Sequence, residues 1–303
     1  MTSPFQNTIP SDRLPAEKGR YVLYINYVCP WAHRVILVRA LKRLEDAIEL
    51  VEFFKRNARD PVHGWYFSGR SGPAKDPVYG ARFLKELYLR ADPYYKGRVT
   101  VPLLWDKHHG TTVNNESAAI TRMLFEAFDA LLPPDHREAN KGIAAFRPAH
   151  IAAEMDALNA WVYDTVNNGV YKVGFATSLQ AYREHVNQLF QSLDRLEDHL
   201  SQPKHSPYLF GQYITESDIY LFTTLIRFDT AYYPFFKCNL KMIRRDYPRL
   251  HAWLRRLYWS NGPETCGGVF RTSTNFDAIT RGYGAVVGKG PMPPHIVPPI
   301  MPW

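Results

Sequence analysis

Cys29 sits in the run Asn26-Tyr27-Val28-Cys29-Pro30-Trp31-Ala32-His33-Arg34, between an apolar stretch at residues 21–25 and a helix-like one at 35–44. A cysteine at a strand-to-helix junction, with proline at the first helical position, holds its sulfur over backbone N–H groups at the positive end of a helix dipole. Such surroundings favour the thiolate. An ordinary cysteine has a pKa of about 8.5, and helix N-termini with nearby cations lower it to roughly 3.5 to 7.5. Most lone cysteines are small buried hydrophobes; the order strand, cysteine, proline, amphipathic helix shifts the reading toward a nucleophile. Position 32 is Ala32, so the two-thiol pattern Cys-x-x-Cys is absent. A single thiol cannot resolve its own mixed disulfide, and a redox cycle here requires an external thiol.

Further residues could complete a thiol site. Val101-Pro102 heads an apolar run, where a proline interrupts sheet pairing. A cis peptide bond there would turn the Val101 backbone outward, leaving its N–H and C=O to pair with an extended peptide. Asn115-Glu116-Ser117 marks a second helix N-terminus, whose N–H groups bind carboxylates, while Glu116 can accept from an ammonium group. Together with Cys29 this spot would hold the amino-acid end of a thiol peptide, and glutathione fits that description. Arg98 offers a cation for the other carboxylate and Trp65 an aromatic face. Taken singly, each of these residues also has an ordinary structural reading. For a second, aromatic substrate the candidates are Trp161, Tyr163, Tyr171, Tyr232 and Tyr283; the phenol hydroxyls could hydrogen-bond an aromatic alcohol while rings stack on it. Packing between helices is the competing reading for them, and Tyr163, beside Asp164, Asn167 and Asn168, is the first choice.

The elements that must position these groups follow from pattern. Strands are expected at residues 21–25, 47–54, 99–105 and 111–113, and a helix starts at Asn115 with Ile120, Leu124 and Phe128 on its apolar stripe. Strand, helix, strand, strand, strand, helix is the order of a small α/β layer of thioredoxin-like type. Residues 57–98, rich in Gly, Pro, Tyr and Trp, form an insertion longer than an ordinary connection, with a short helical segment around 83–89. From residue 145 the pattern becomes all-helical, with amphipathic segments at 151–167, 178–201, 215–228 and 247–258. Thr215-Glu216-Ser217-Asp218 reads as a helix N-cap. The expected organisation is an α/β domain at 1–131, an all-α domain at 145–281 and a tail at 282–303, whose last thirteen residues hold six prolines.

Composition excludes several classes. The chain has 303 residues, 46% hydrophobic and 14% aromatic, enough for a substantial core. Its net charge of +8 is spread over scattered basic residues with acidic ones between them and accompanies no nucleic-acid motif. No nucleic-acid partner is expected, and the charge suits an anionic small substrate. Three cysteines, far apart and without metal-ligand spacing to histidines, indicate neither a disulfide scaffold nor a metal site and suggest a reducing compartment. Residues 1–20 carry no apolar core of secretory length, and charges interrupt every apolar run, so neither signal nor membrane span is expected and the cytoplasm is the default.

The chain resembles the glutathionyl-hydroquinone reductases, the xi class of glutathione transferases, with omega-class transferases as more distant relatives. The likeness rests on residues 26–34; His63-Gly64-Trp65-Tyr66-Phe67; Val101-Pro102-Leu103-Leu104-Trp105-Asp106; Val113-Asn114-Asn115-Glu116-Ser117; Trp161 through Tyr171; and residues 221–229 with Phe236-Lys237-Cys238-Asn239. The resemblance implies a thioredoxin-like N-terminal domain, an all-helical C-terminal domain and a homodimer. It implies Cys29 as nucleophile, glutathione held by Trp65, Arg98, Val101, Glu116 and Ser117, and a hydroquinone reached by Tyr163 and Tyr283, with Tyr171 and Tyr232 as further lining candidates. The family shows paired tyrosines near its C-terminus, whereas here Gly282-Tyr283-Gly284 leads into a proline-rich tail. The expected reaction is glutathione-dependent reduction of glutathionyl-hydroquinones through a Cys29 mixed disulfide. An omega-like thiol transferase or dehydroascorbate reductase would use the same cysteine, and a glutathione or phenol carrier would bind without turnover. A conjugating transferase would need Tyr or Ser in place of Cys29.

Overall fold

The computed structural model describes residues 3–53, 55–56, 64–67, 69 and 73–286. His63 and the proline-rich residues 291–303 lie outside the described residues. Two units divide between Asn140 and Lys141.

The first unit is built on β1 (Tyr21–Ile25), all five residues of which are buried. A strand that is apolar at every position needs cover on both faces; burying Leu23 and Ile25 alone contributes about 1.5–3 kcal/mol each. β1 leads through Cys29 into α1 (Pro30–Leu41) and pairs in parallel with β2 (Ile48–Glu52). On its other edge β1 runs antiparallel to β5 (Leu103–Asp106), which pairs with β6 (Thr111–Asn114), giving the order β2-β1-β5-β6. α3 (Ser117–Glu126) follows β6 and packs against α1. Where Tyr21 faces Asp106, Arg20 clamps the aspartate with Nε and an η nitrogen, each at 2.8 Å, and His109 Nδ1 lies 2.5 Å away. Burial alone would raise the Asp106 pKa, but the Arg20 and His109 hydrogen bonds outweigh it and pull it to about 2.

The strand expected at 99–105 begins only at Leu103. Val101-Pro102 is cis, and Pro102 has no N–H to give a ladder. Within the insertion, β3 (Lys55–Arg56) and β4 (Trp65–Tyr66) form a short antiparallel pair, followed by α2 (Leu84–Ala91). Its later part is tied to the sheet: Tyr24 Oη donates to Asp76 at 2.8 Å, Trp105 Nε1 to Tyr79 at 3.0 Å, and the buried Tyr88 to Thr100 O at 2.9 Å.

The second unit is helical: α4 (Ala152–Val162), α5 (Gly169–Gly174), α6 (Leu179–His199), α7 (Glu216–Leu225), α8 (Tyr233–Phe235), α9 (Ile243–Asp246), α10 (Pro248–Trp259), α11 (Val269–Thr272) and α12 (Phe276–Val286). All ten residues of α7 are buried. Its N-cap forms as the sequence indicates: Asp218, itself fully buried, accepts from Thr215 N at 2.9 Å and Thr215 Oγ1 at 2.7 Å, and also from Leu209 N at 3.0 Å and Trp253 Nε1 at 2.9 Å. Two expected helices end early. The α4 register passes into a π-helical turn at Tyr163–Asn167, and a second π turn occupies Phe228–Tyr232 beyond α7. A π turn adds one residue to a helical turn and so re-aims the side chains beyond it, a change that apolar periodicity does not encode. α12 continues through Val286, five residues into the segment expected as tail, because no proline stands between Phe276 and Val286.

Among the described residues no helix is long and apolar enough to cross a membrane, and no group of three His, Cys, Asp or Glu side chains could hold a metal ion.

Candidate active site

Cys29 is the N-cap of α1, with φ −77° and ψ 121°, and Pro30 stands at the first helical position. Its N–H donates to Asn26 O at 3.1 Å and its carbonyl accepts from His33 N at 3.0 Å. The approach to the cysteine is fixed by Asn26, whose side chain accepts from Val28 N at 2.9 Å and donates to Phe53 O across the parallel strands. Cys29 is half-buried and not in a disulfide. Its Sγ lies 3.4 Å from Val101 O.

That contact corrects one expectation. The Val101 carbonyl is engaged by the thiol rather than left open to a peptide, because the chain just ahead of Pro102 passes directly beside the α1 N-cap. The Val101 N–H makes no hydrogen bond among the described residues. α3 starts at Ser117, two residues later than expected, with Glu116 as N-cap, because Asn115 turns inward. Asn115 Nδ2 donates to Tyr88 Oη at 2.9 Å, and its Oδ1 is buried with no partner among the described residues. An orphaned buried acceptor costs about 1–3 kcal/mol. Glu116 is exposed, its N–H donating to Asn114 Oδ1 at 2.8 Å, and among the described residues its side chain makes no cap hydrogen bond to the α3 first turn, where Ser117 is buried. Arg98 is exposed and makes no ion pair among the described residues, and Trp65 is half-buried on β4.

The second unit gathers three of the four sequence-derived tyrosines. Tyr171 on α5, Tyr232 in the second π turn and Tyr283 on α12 form a chain of phenols, with Tyr171 Oη 2.7 Å and Tyr232 Oη 2.9 Å from Tyr283 Oη. Burial first, and Tyr283 beside it, hold the Tyr232 phenol well above its ordinary pKa, so it keeps its proton. Phe236 contacts all three rings at centroid distances of 5.4 to 5.5 Å. Phe175, 55% exposed, is stacked on Tyr171. Tyr163 is 50% exposed in the first π turn. Trp161 lies under the Arg195 guanidinium at 4.2 Å, a contact between α4 and α6. Sequence reasoning left Asn26, Phe175 and Phe236 without roles; Phe236 stands two residues before Cys238 in the quoted motif, but its ring contacts on α5 and α12 leave no local signal.

The chain thus joins a layer of four mixed strands, with a cysteine at the first helix N-cap, to a run of helices. The sequence models for the glutathione S-transferase N-terminal and C-terminal domains match residues 28–127 and 180–256. The chain belongs to the glutathione transferase family. Within that family it is 44% identical to the glutathionyl-hydroquinone reductase YqjG of Escherichia coli, over 93% of this chain and 82% of that one. It is 46% identical to the glutathionyl-hydroquinone reductase PcpF of Sphingobium chlorophenolicum, over 80% and 72%. The solved xi transferase of Phanerochaete chrysosporium superposes with a TM-score of 0.88 at 44% identity, covering 100% of this chain and 98% of that one. The glutathione-bound structure of the Escherichia coli protein gives 0.81 at 41% identity, covering 94% and 89%.

Proposed function

We propose that the protein reduces glutathionyl-hydroquinones to hydroquinones, with glutathione as the reductant. The observation that carries this reading is Cys29 at the α1 N-cap with its sulfur against Val101, in a chain 44% identical to a named reductase of that kind. Glutathione's backbone meets the Val101 N–H, its amino-acid carboxylate meets the α3 N-terminus at Ser117, and Glu116 accepts from its ammonium group. Arg98 serves the other carboxylate, and Trp65 packs on the tripeptide.

The Cys29 thiolate attacks the glutathionyl sulfur; the bond from that sulfur to the aromatic carbon breaks, and the carbon takes a proton through a ketone tautomer of the ring. Tyr163 and Tyr283 act on the ring oxygens in those proton transfers, with Tyr171 and Tyr232 lining the aromatic site. Cys29 is left as a mixed disulfide with glutathione. A second glutathione attacks that disulfide and restores the thiol, so each glutathionyl-hydroquinone and one glutathione yield one hydroquinone and one oxidised glutathione. The kinetics are therefore ping-pong.

The test is incubation with a glutathionyl-hydroquinone and excess glutathione, following free hydroquinone, with intact-mass detection of the Cys29 adduct when glutathione is withheld. Binding without release of hydroquinone would make the protein a carrier. The same reading takes the protein as a cytoplasmic homodimer, which light scattering of the purified protein checks for assembly.

A further inference from the structure

Three independent features of the second unit converge on Phe236. First, the chain doubles back over Tyr232: the carbonyl of Tyr232 accepts from both Phe236 N at 3.0 Å and Cys238 N at 3.1 Å, and Lys237 between them has φ +59°. A lysine in the left-handed region is a strained choice, and such strain persists where the surroundings over-determine a conformation. The Lys237 carbonyl is further held by Tyr182 Oη at 2.9 Å. Second, Tyr232 closes a π turn at Phe228–Tyr232, which sets the side from which its ring meets Phe236. Third, Phe236 rests directly on the end of α5: a Cβ at Gly174 would lie 2.5 Å from Phe236 Cγ and 2.9 Å from its Cβ. No larger residue fits at 174 without moving the ring.

The ring so pinned is 1% exposed and touches Tyr171, Tyr232 and Tyr283, each nearly edge-on or tilted, together with Phe175. The three tyrosines come from different elements, and Phe236 packs on all of them.

We propose that Phe236, seated on Gly174, is the positioning residue that holds the three phenol oxygens in hydrogen-bonding register. This rests on the assignment of those phenols to the hydroquinone end of the reaction. Cys29 belongs to the first unit and Phe236 to the second, where it packs on the phenols, so its influence falls on the step in which the aromatic carbon gains its proton.

The experiment compares Phe236→Leu with the native protein on two reactions: reduction of a glutathionyl-hydroquinone, and removal of glutathione from its mixed disulfide with 2-mercaptoethanol, which needs the cysteine and no phenol. The expected result is a fall of about tenfold or more in kcat for the first, with KM for glutathione and the second reaction within about twofold. Equal loss in both reactions, or no loss in either, overturns the proposal. Gly174→Ala gives a readout free of turnover. Its crystal structure is expected to show the Tyr171–Tyr283 and Tyr232–Tyr283 oxygens beyond about 3.5 Å, and an intact phenol chain overturns the proposal. If the native protein fails to turn over glutathionyl-hydroquinones, the functional reading falls while the Gly174→Ala structure still decides the positioning role.

Discussion

The thiol site and the phenol cluster are built by opposite means. On the proposed function, the groups that would recognise glutathione around Cys29 are largely main chain: the α1 N-cap, the Val101 N–H, without a hydrogen bond among the described residues, and the first turn of α3. In the second unit the groups proposed for the aromatic ring are side chains, three phenol hydroxyls linked at 2.7 and 2.9 Å and held by a π turn and ring packing. Main-chain recognition is fixed by topology and tolerates substitution of many neighbours. Side-chain recognition depends on each residue that holds a ring in place, and is the part that can be retuned for a different aromatic substrate.

The sharpest way to break that contrast is Cys29→Ser, expected to lower both glutathionyl-hydroquinone reduction and thiol transfer by at least about 10³-fold; retained turnover would remove the thiol from the mechanism. Next in size, Tyr283→Phe deletes the hydroxyl central to the phenol chain. A loss of about 10²-fold in hydroquinone release with thiol transfer unaltered is expected, and parallel loss of both would collapse the division of labour. A smaller effect tests the surroundings of the first unit. Glu52, at the end of β2, has its pKa raised by burial to about 7 against an ordinary 4.5. Folding therefore holds its proton more tightly than the unfolded chain does, and stability declines as pH rises from about 4.5 through 7. Glu52→Gln should gain about 1 kcal/mol over the native protein at pH 8 and nothing at pH 4, after allowance for solvent screening; denaturant melts at the two pH values measure it. Smallest is Thr215→Ala, which removes a cap hydroxyl donating to Asp218 at 2.7 Å. It should cost about 1 kcal/mol of stability while leaving the ratio of the two activities unchanged, a control that separates loss of fold from loss of phenol geometry.

The same division explains what could be read from the chain. The junction at Cys29 is local: an apolar run, a cysteine and a proline within ten residues define both strand end and helix start. The Thr215 to Asp218 cap is equally local. The phenol cluster is not, since Tyr171, Tyr232 and Tyr283 meet through tertiary packing; their residue type suggested a role, but nothing in their spacing gave their distances. The π turns escaped because a 3.6-residue period carries no mark of an inserted residue. Asn115 reads as the first residue of a helix, but Tyr88, 27 positions away, draws its amide inward. Gly174 carried no signal at all: only the approach of Phe236 shows why that position must lack a side chain.

Ala32, fully buried one turn into α1, stands where a second sulfur would be needed to free the first. With the proposed cycle, its methyl group hands the closing half of every turnover to whatever tripeptide the surroundings supply. When reduced glutathione runs short, the protein comes to rest with Cys29 capped, and the capped fraction in a population becomes a chemical gauge of that shortage, readable as a mass difference on the intact chain.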